Sequence, residues 1–360
     1  MNQLFSSESP LYLPGNEITS APQEYCRCRQ CGKRVSFSGM TPFSEYKCDG
    51  CGAELHVPRP FGDYMLLDRI SVSDTARVYL ALDPLLDRSV AIKIPRVSKE
   101  DESFNQHSRR ALYFDSQIQT AVEHPNTMEI YRACLLDNRD FKVMELLPGG
   151  KLKFNEDPAE RTDPLVALNA MAEVVEMLGI AYKEKNAPHG NIAPDHLVFS
   201  DEGRLKLLNF RPREYATPDI IMPQNEFIFA APERLRDYEI SAPADIYSIG
   251  VVLFMLFTNR HPMGYVDEAS ELDLLERQLK SPIPPMKNLA AFHDDALFNT
   301  ISAMLAPNPG ERPDHDETAA ALRNAAGKMA RKRNVQETVT RISQKIQKGI
   351  AKFQDDYLVN

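Results

Sequence analysis

No unbroken apolar run in this chain is long enough to cross a bilayer. The longest, Ile249 to Phe257, falls well short of the about 20 residues that a spanning helix needs. The first residues, Met1-Asn2-Gln3-Leu4-Phe5, lack the basic-then-apolar form of a secretory signal. A basic excess is missing too: 42 Lys and Arg stand against 51 Asp and Glu, for a formal charge of -9 and a pI near 5.5. That balance argues against nucleic acid as the main partner of the whole chain. Internal repeats are absent. Together these absences lead to the expectation of a cytoplasmic protein without a transmembrane segment. What is present is 43% hydrophobic residues in a length of 360, enough for one large or two ordinary packed domains with appendages.

Cysteine is scarce except in one place. Five of the six lie between positions 26 and 51, and four of them form two C-x-x-C-G knuckles, Cys28/Cys31 and Cys48/Cys51, with sixteen residues between. Four soft ligands in this spacing suit tetrahedral zinc. Gly32 and Gly52 suit the turns that aim backbone amides at the thiolates. Two disulfides are the alternative, and the lack of an export signal weighs against them. Cys26 is read as a spectator or a ligand in a shifted register, and Cys134, in an apolar context, as a core thiol.

Residues 1–25, rich in Ser, Pro, Asn and Glu, read as a flexible leader. The ribbon spans 26–57, and Pro58-Arg59-Pro60 reads as a stiff linker. From 61 to 323 strands come first and helices follow. Arg77 to Leu82 and Ser89 to Pro95 alternate as strands do, while Leu165 to Tyr182 and Asp245 to Thr258 have helical length and apolar content. The expected fold is therefore α+β and two-lobed. In the last segment, 324–360, Val335, Val339, Ile342, Ile346, Ile350 and Phe353 make an apolar stripe on an otherwise basic helix. Packing on the protein's own body, self-association and contact with an acidic partner are all open readings. Membrane-surface binding lacks the large aromatic anchors expected of it.

Several segments of the 61–323 body resemble the protein-kinase family, in the family's order. Val90-Ala91-Ile92-Lys93 is similar to the strand whose Lys meets the nucleotide phosphates. Counting back from His124-Pro125-Asn126, Asp115 falls where the family places the Glu that pairs with that Lys. Val143 to Gly150 resembles the hinge, with Met144 as gatekeeper and Glu145 following. His189-Gly190-Asn191-Ile192-Ala193-Pro194-Asp195-His196 has the frame of the catalytic loop H-R-D-L-x-x-x-N, and Leu208-Asn209-Phe210-Arg211 stands at the D-F-G position. Ala231-Pro232-Glu233, Asp245 and Arg312 match the elements that brace the family's helical lobe, as His189 and Phe210 do. The resemblance implies a bilobal kinase-like fold and an adenine site flanked by Val78, Ala91 and Leu197.

The departures are as ordered as the matches. Asn191 replaces the catalytic Asp, and an amide has no basic lone pair at neutral pH. Asn209 and His196 replace the two magnesium ligands, although magnesium prefers hard anionic oxygens. Ala193 replaces a Lys near the transferred phosphate. Ser71 to Val78, at the glycine-loop position, contains no glycine, which hinders close approach of backbone amides to phosphate. The resemblance thus implies a pseudokinase, a regulatory or scaffolding module with protein partners, with ATP held through Lys93 and little use of magnesium, beside the structural zinc that the cysteine spacing suggests. The alternatives are an active Ser/Thr kinase or other nucleotide-dependent transferase, and a ribbon that docks nucleic acid or protein through Arg27, Arg29, Lys33 and Arg34.

Overall fold

The computed structural model describes residues 11–12, 25–28, 30–73, 76–98, 100–136, 139–154, 157, 160–211, 213, 222–286 and 294–335. In the cysteine-rich segment β1 (Leu11–Tyr12), β2 (Tyr25–Cys28) and β3 (Arg34–Ser36) form one small antiparallel sheet, and β4 (Glu45–Lys47) and β5 (Glu54–His56) form another.

This ribbon is not a bead on a linker. Val35, Phe37, Leu55 and Val57 share a buried cluster with Met65, Leu67 and Leu82 of the next domain. On the opposite face of that sheet Phe43 stacks on Tyr79, ring centroids 5.7 Å apart. Residues 58–60, read from sequence as a linker, lie largely within β6 (Arg59–Phe61), which pairs with β7 (Tyr64–Val72). A proline is tolerated there because β6 is the edge of its sheet and its missing N–H breaks no inner ladder.

The sheet continues through β8 (Ala76–Asp83), β9 (Arg88–Pro95), β10 (Ile130–Leu136) and β11 (Arg139–Met144), in the spatial order β10-β11-β9-β8-β7-β6. The expected strands at 77–82 and 89–95 fall within β8 and β9. Strand alternation divides their side chains. Val90, Ile92, Phe141 and Val143 enter one apolar cluster, which leaves Ala91, Lys93, Lys142 and Met144 on the other face. Against this sheet lies α1 (Glu102–Ala121), capped by Asp101, whose carboxylate accepts from Phe104 N–H at 2.9 Å.

The second lobe is helical around one core. The long α2 (Pro164–Lys185) opens with Asp163 accepting from Leu165 N–H and a proline in the first turn, the favoured start. By length and composition α2 could cross a membrane, but most of it is buried in this lobe. A short hairpin, β12 (Leu197–Phe199) with β13 (Leu205–Leu207), follows. Then come α3 (Gln224–Phe227), α4 (Pro232–Asp237), α5 (Ala242–Thr258), α6 (Glu271–Lys280) and α7 (Asp295–Met304). At the α5–α7 crossing a Cβ on Gly250 would come within 3.0 Å of the Met304 Cβ, so only glycine permits that approach.

A final helix, α8, covers residues 315–335 without a break at 323. Ala319, Leu322, Ala326 and Met329 recur at steps of three and four and are all buried. Lys328 and Arg333, assigned from sequence to a separate basic tail, pair with Asp294 at 3.1 Å and Asp163 at 2.6 Å on the body. The rest of the apolar stripe, from Val339 on, lies outside the described residues. So do Tyr215 and Thr217, which the kinase resemblance places in the activation segment as candidate modification positions, and the side chains of Cys26 and Cys134.

One ion pair braces this lobe. Arg312 meets both oxygens of Glu233, at 2.6 and 2.9 Å, and also donates to the carbonyls of Pro243 and Ala306. Both side chains are buried. Removing one partner strands the other charge, so Arg312→Met is expected to cost about 3–5 kcal/mol in urea denaturation. The Glu233→Gln/Arg312→Met double variant should lose less, and an equal loss would refute this account.

Candidate functional site

The cysteine knuckles are near copies of each other. Gly32 N–H donates to Cys28 O and Gly52 N–H to Cys48 O, both at 2.7 Å, with φ of +70° and +74°. Glycine adopts such φ values without strain. The four thiols are free. Cys28 and Cys51 Sγ lie 3.7 Å apart, Cys31 and Cys48 Sγ 3.6 Å, and all four within 4.8 Å of one another. A tetrahedron of zinc–sulfur bonds of about 2.3 Å has edges of roughly 3.8 Å, so the donor set fits a structural zinc. The metal would tie β2–β3 to β4–β5. Metal analysis of purified protein should find one zinc per chain. Chelation or Cys48→Ser should lower the melting temperature by about 5–10 °C, because the knuckles share a core with the main sheet. An unchanged melting curve would disprove that coupling.

In the cleft between the lobes the ionic pairing differs from the sequence expectation. Asp115 does not pair with Lys93. Its Oδ2 takes the ammonium of Lys142, and its Oδ1 accepts from Gln119 Nε2 at 2.8 Å and from Phe210 N–H at 2.9 Å. Lys142 and Asp115 are both almost fully buried. The reason is register: Lys142 sits directly opposite Lys93 on the neighbouring strand, so two ammoniums compete for one short carboxylate. Burial alone would push Asp115 up, but Lys142 foremost and Lys93 next hold it down at about 2.

Lys93 instead donates to Asn209 Oδ1 at 2.6 Å. Burial, then the like charge of Lys142, pushes its ammonium down to about 8. Asn209 has φ +68°, a left-handed conformation that Asn adopts more readily than most residues.

The catalytic-loop frame is intact as architecture. Asp245 accepts from His189 N–H at 2.6 Å and Gly190 N–H at 2.8 Å, and burial pushes its carboxyl up to about 7. His189 Nδ1 accepts from Asn191 N–H, so its Nε2 donates to Leu208 O at 2.9 Å. Burial holds this ring neutral, with its pKa down to about 3. Ala193 is fully buried in the core of the helical lobe. His196 Nδ1 donates to Asn191 O at 2.7 Å, while its Nε2 lies 4.0 Å from Glu226. Glu226, on α3, is clamped by Arg211 at 2.6 Å. At the place of the glycine loop, Ser73 N–H donates to Ala76 O and Ala76 N–H to Ser73 Oγ.

Of the expected adenine neighbours, Ala91 and Val78 join Met144 and Met128 in one apolar cluster with Ile70, Leu146 and Leu208. Leu197 does not. It is fully buried in the helical-lobe core opposite Leu207, because strand alternation turns it away from the cleft. Glu145 follows the gatekeeper but is tied to Lys206 at 2.8 Å. Sequence reasoning missed Leu208, Lys142 and Glu226. Lys142 was findable, as the one charge in the apolar run Phe141 to Met144 and two residues before a cleft-facing position.

A family model described as protein kinase domain matches residues 67–322, and the chain belongs to that family. It is 29% identical over 265 residues to serine/threonine-protein kinase PrkC of Bacillus subtilis, covering 72% of this chain and 40% of the relative. It is 24% identical over 270 residues to serine/threonine-protein kinase PknB of Mycobacterium leprae, covering 72% and 42%. The chain thus aligns with only about two fifths of the length of these relatives.

The kinase fold implies ATP and magnesium. The donors at the metal position fit magnesium poorly: Asn209 Oδ1 is engaged by an ammonium, His196 offers nitrogen, and neither is anionic. Between pH of about 8 and the ordinary lysine value of 10.5, the unfolded chain keeps the Lys93 proton that the folded chain has released. Its stability contribution therefore rises with pH across that window. Urea denaturation should show a rise in the wild type relative to Lys93→Met, and parallel curves would count against a lowered Lys93 pKa in the fold.

Proposed function

We propose that this chain is a kinase-fold protein without efficient phosphoryl transfer, acting as a regulatory or scaffolding module for protein partners and able to hold ATP with little need of magnesium. The observation that carries this reading is the Lys93–Asn209 contact at 2.6 Å. A resident ammonium stands where the family's chemistry brings a divalent cation to a carboxylate. Asn191 cannot accept a proton, and loss of a general base alone removes roughly 10²–10⁴ in rate. The apolar ring of Val78, Ala91, Met144 and Leu208 supports adenine binding, and Lys93 supports phosphate binding.

A second reading, an active Ser/Thr kinase, is supported by family membership and by Glu226, a carboxylate beside His196. Calorimetry of zinc-replete protein with ATP, without and with added magnesium, together with labelled phosphate transfer, separates the two. The first reading expects saturable binding without added magnesium, changed less than about twofold by magnesium, lost in Lys93→Ala and accompanied by no transfer. Binding that requires magnesium, with transfer abolished by Lys93→Ala, would establish the kinase instead.

A further inference from the structure

Beyond its apolar ring the interlobe cleft carries an anion of its own. Ala91 and Leu208 belong to the ring, and two chain segments lead outward from it. Lys93 follows Ala91 on the same face of β9, about 7 Å further along, while Asn209 follows Leu208. The two segments meet at the Lys93–Asn209 contact. Arg211 continues the second segment to Glu226 on α3, at 2.6 Å, and their side chains are only 19% and 14% exposed. Water therefore screens this pair weakly. The other carboxylate oxygen, Oε1, faces His196 at 4.0 Å, a ring that burial keeps neutral. Glu226 also acts on Lys93 through space.

Residues on both sides hold Glu226 in place. Before it, Asn225 donates to Asp195 of the catalytic-loop frame at 2.9 Å, and Gln224 donates to the carbonyls of Val266 and Asp267. After it, Phe227 is buried in an apolar cluster with Leu235 and Leu274. The backbone that carries the carboxylate is thus fixed. Arg211 has a nitrogen to spare, since its Nη1 is buried and, among the described residues, has no hydrogen-bond partner. A phosphate arriving here meets a guanidinium already engaged and a carboxylate of its own sign. Like charges in a weakly screened place repel.

A nucleotide whose base fills the apolar ring brings its first phosphates to Lys93 and a third one outward, towards Arg211 and Glu226. We propose that the ligand this cleft selects is a nucleoside diphosphate, with Glu226 as the residue that disfavours a third phosphate. This selection rests on the nucleotide binding proposed above and adds to it the length of the phosphate chain. No bond is made or broken.

The test is calorimetry of the full, zinc-replete chain with ADP and with ATP, both without added magnesium. Wild type is expected to bind ADP about tenfold more tightly than ATP. Glu226→Gln should remove that preference by strengthening ATP binding, with ADP changed less than about twofold. Arg211→Met breaks the same ion pair but leaves the carboxylate without its cation, so it should widen the preference. A merely structural pair would move both variants the same way. Glu226→Gln/Arg211→Met strands neither charge and decides the matter should a single variant fail to fold: it should bind the two nucleotides alike. Equal affinities in wild type, or an ADP preference that survives in Glu226→Gln, would overturn the proposal and leave nucleotide binding standing. ADP binding without ATP binding would support the selection and remove ATP as the ligand. Binding of neither nucleotide to wild type would overturn both readings together.

Discussion

The carboxylate of Asp115 is the junction on which the cleft depends. Through it α1 is joined to β11 by Lys142, to its own next turn by Gln119, and to the helical lobe by the amide of Phe210. Gln119 extends the network, accepting from Met128 N–H at 2.9 Å. A buried carboxylate left unsatisfied would cost several kcal/mol, so these four elements hold position together. In consequence α1 is fastened through the Lys142 ion pair rather than through one from Lys93, whose hydrogen bond goes to Asn209.

That separation explains much of the cleft. Relieved of the role of bracing α1, Lys93 turns to Asn209, and the 208–211 segment is held at adjacent residues, Asn209 by its side chain and Phe210 by its backbone. Arg211 then carries the line onward to Glu226 on α3, which in turn lies beside His196. Neutral histidines fill the space between. Burial lowers both His189 and His196, so a charged imidazole is not favoured at either place.

The fold was legible because its signals are local and repeated: β-strand alternation in β8 and β9, apolar helical periods in α2 and α5, and paired C-x-x-C-G spacings. The frame of the cleft was legible because Asp245, His189 and Glu233–Arg312 stand at family spacings. Its pairings were not. Whether Asp115 meets Lys93 or Lys142 depends on a side chain one methylene shorter than Glu and on the register of two strands, and counting along a chain registers neither. The Leu197 expectation failed for a related reason: a one-residue offset on a strand reverses the face. The supposed break at 323 failed because a change in surface composition need not interrupt a helix whose buried stripe continues.

The shared core of ribbon and sheet has a consequence for how the molecule can be divided. A fragment beginning near residue 61 would keep all the kinase-like landmarks yet uncover Met65, Leu67 and Leu82. It would also lose most of β6 and so bare the hydrogen-bonding edge of β7. An apolar surface beside an unpaired strand edge is the combination that drives intermolecular association. The cysteine knuckles thus cover an apolar face of the lobe behind them.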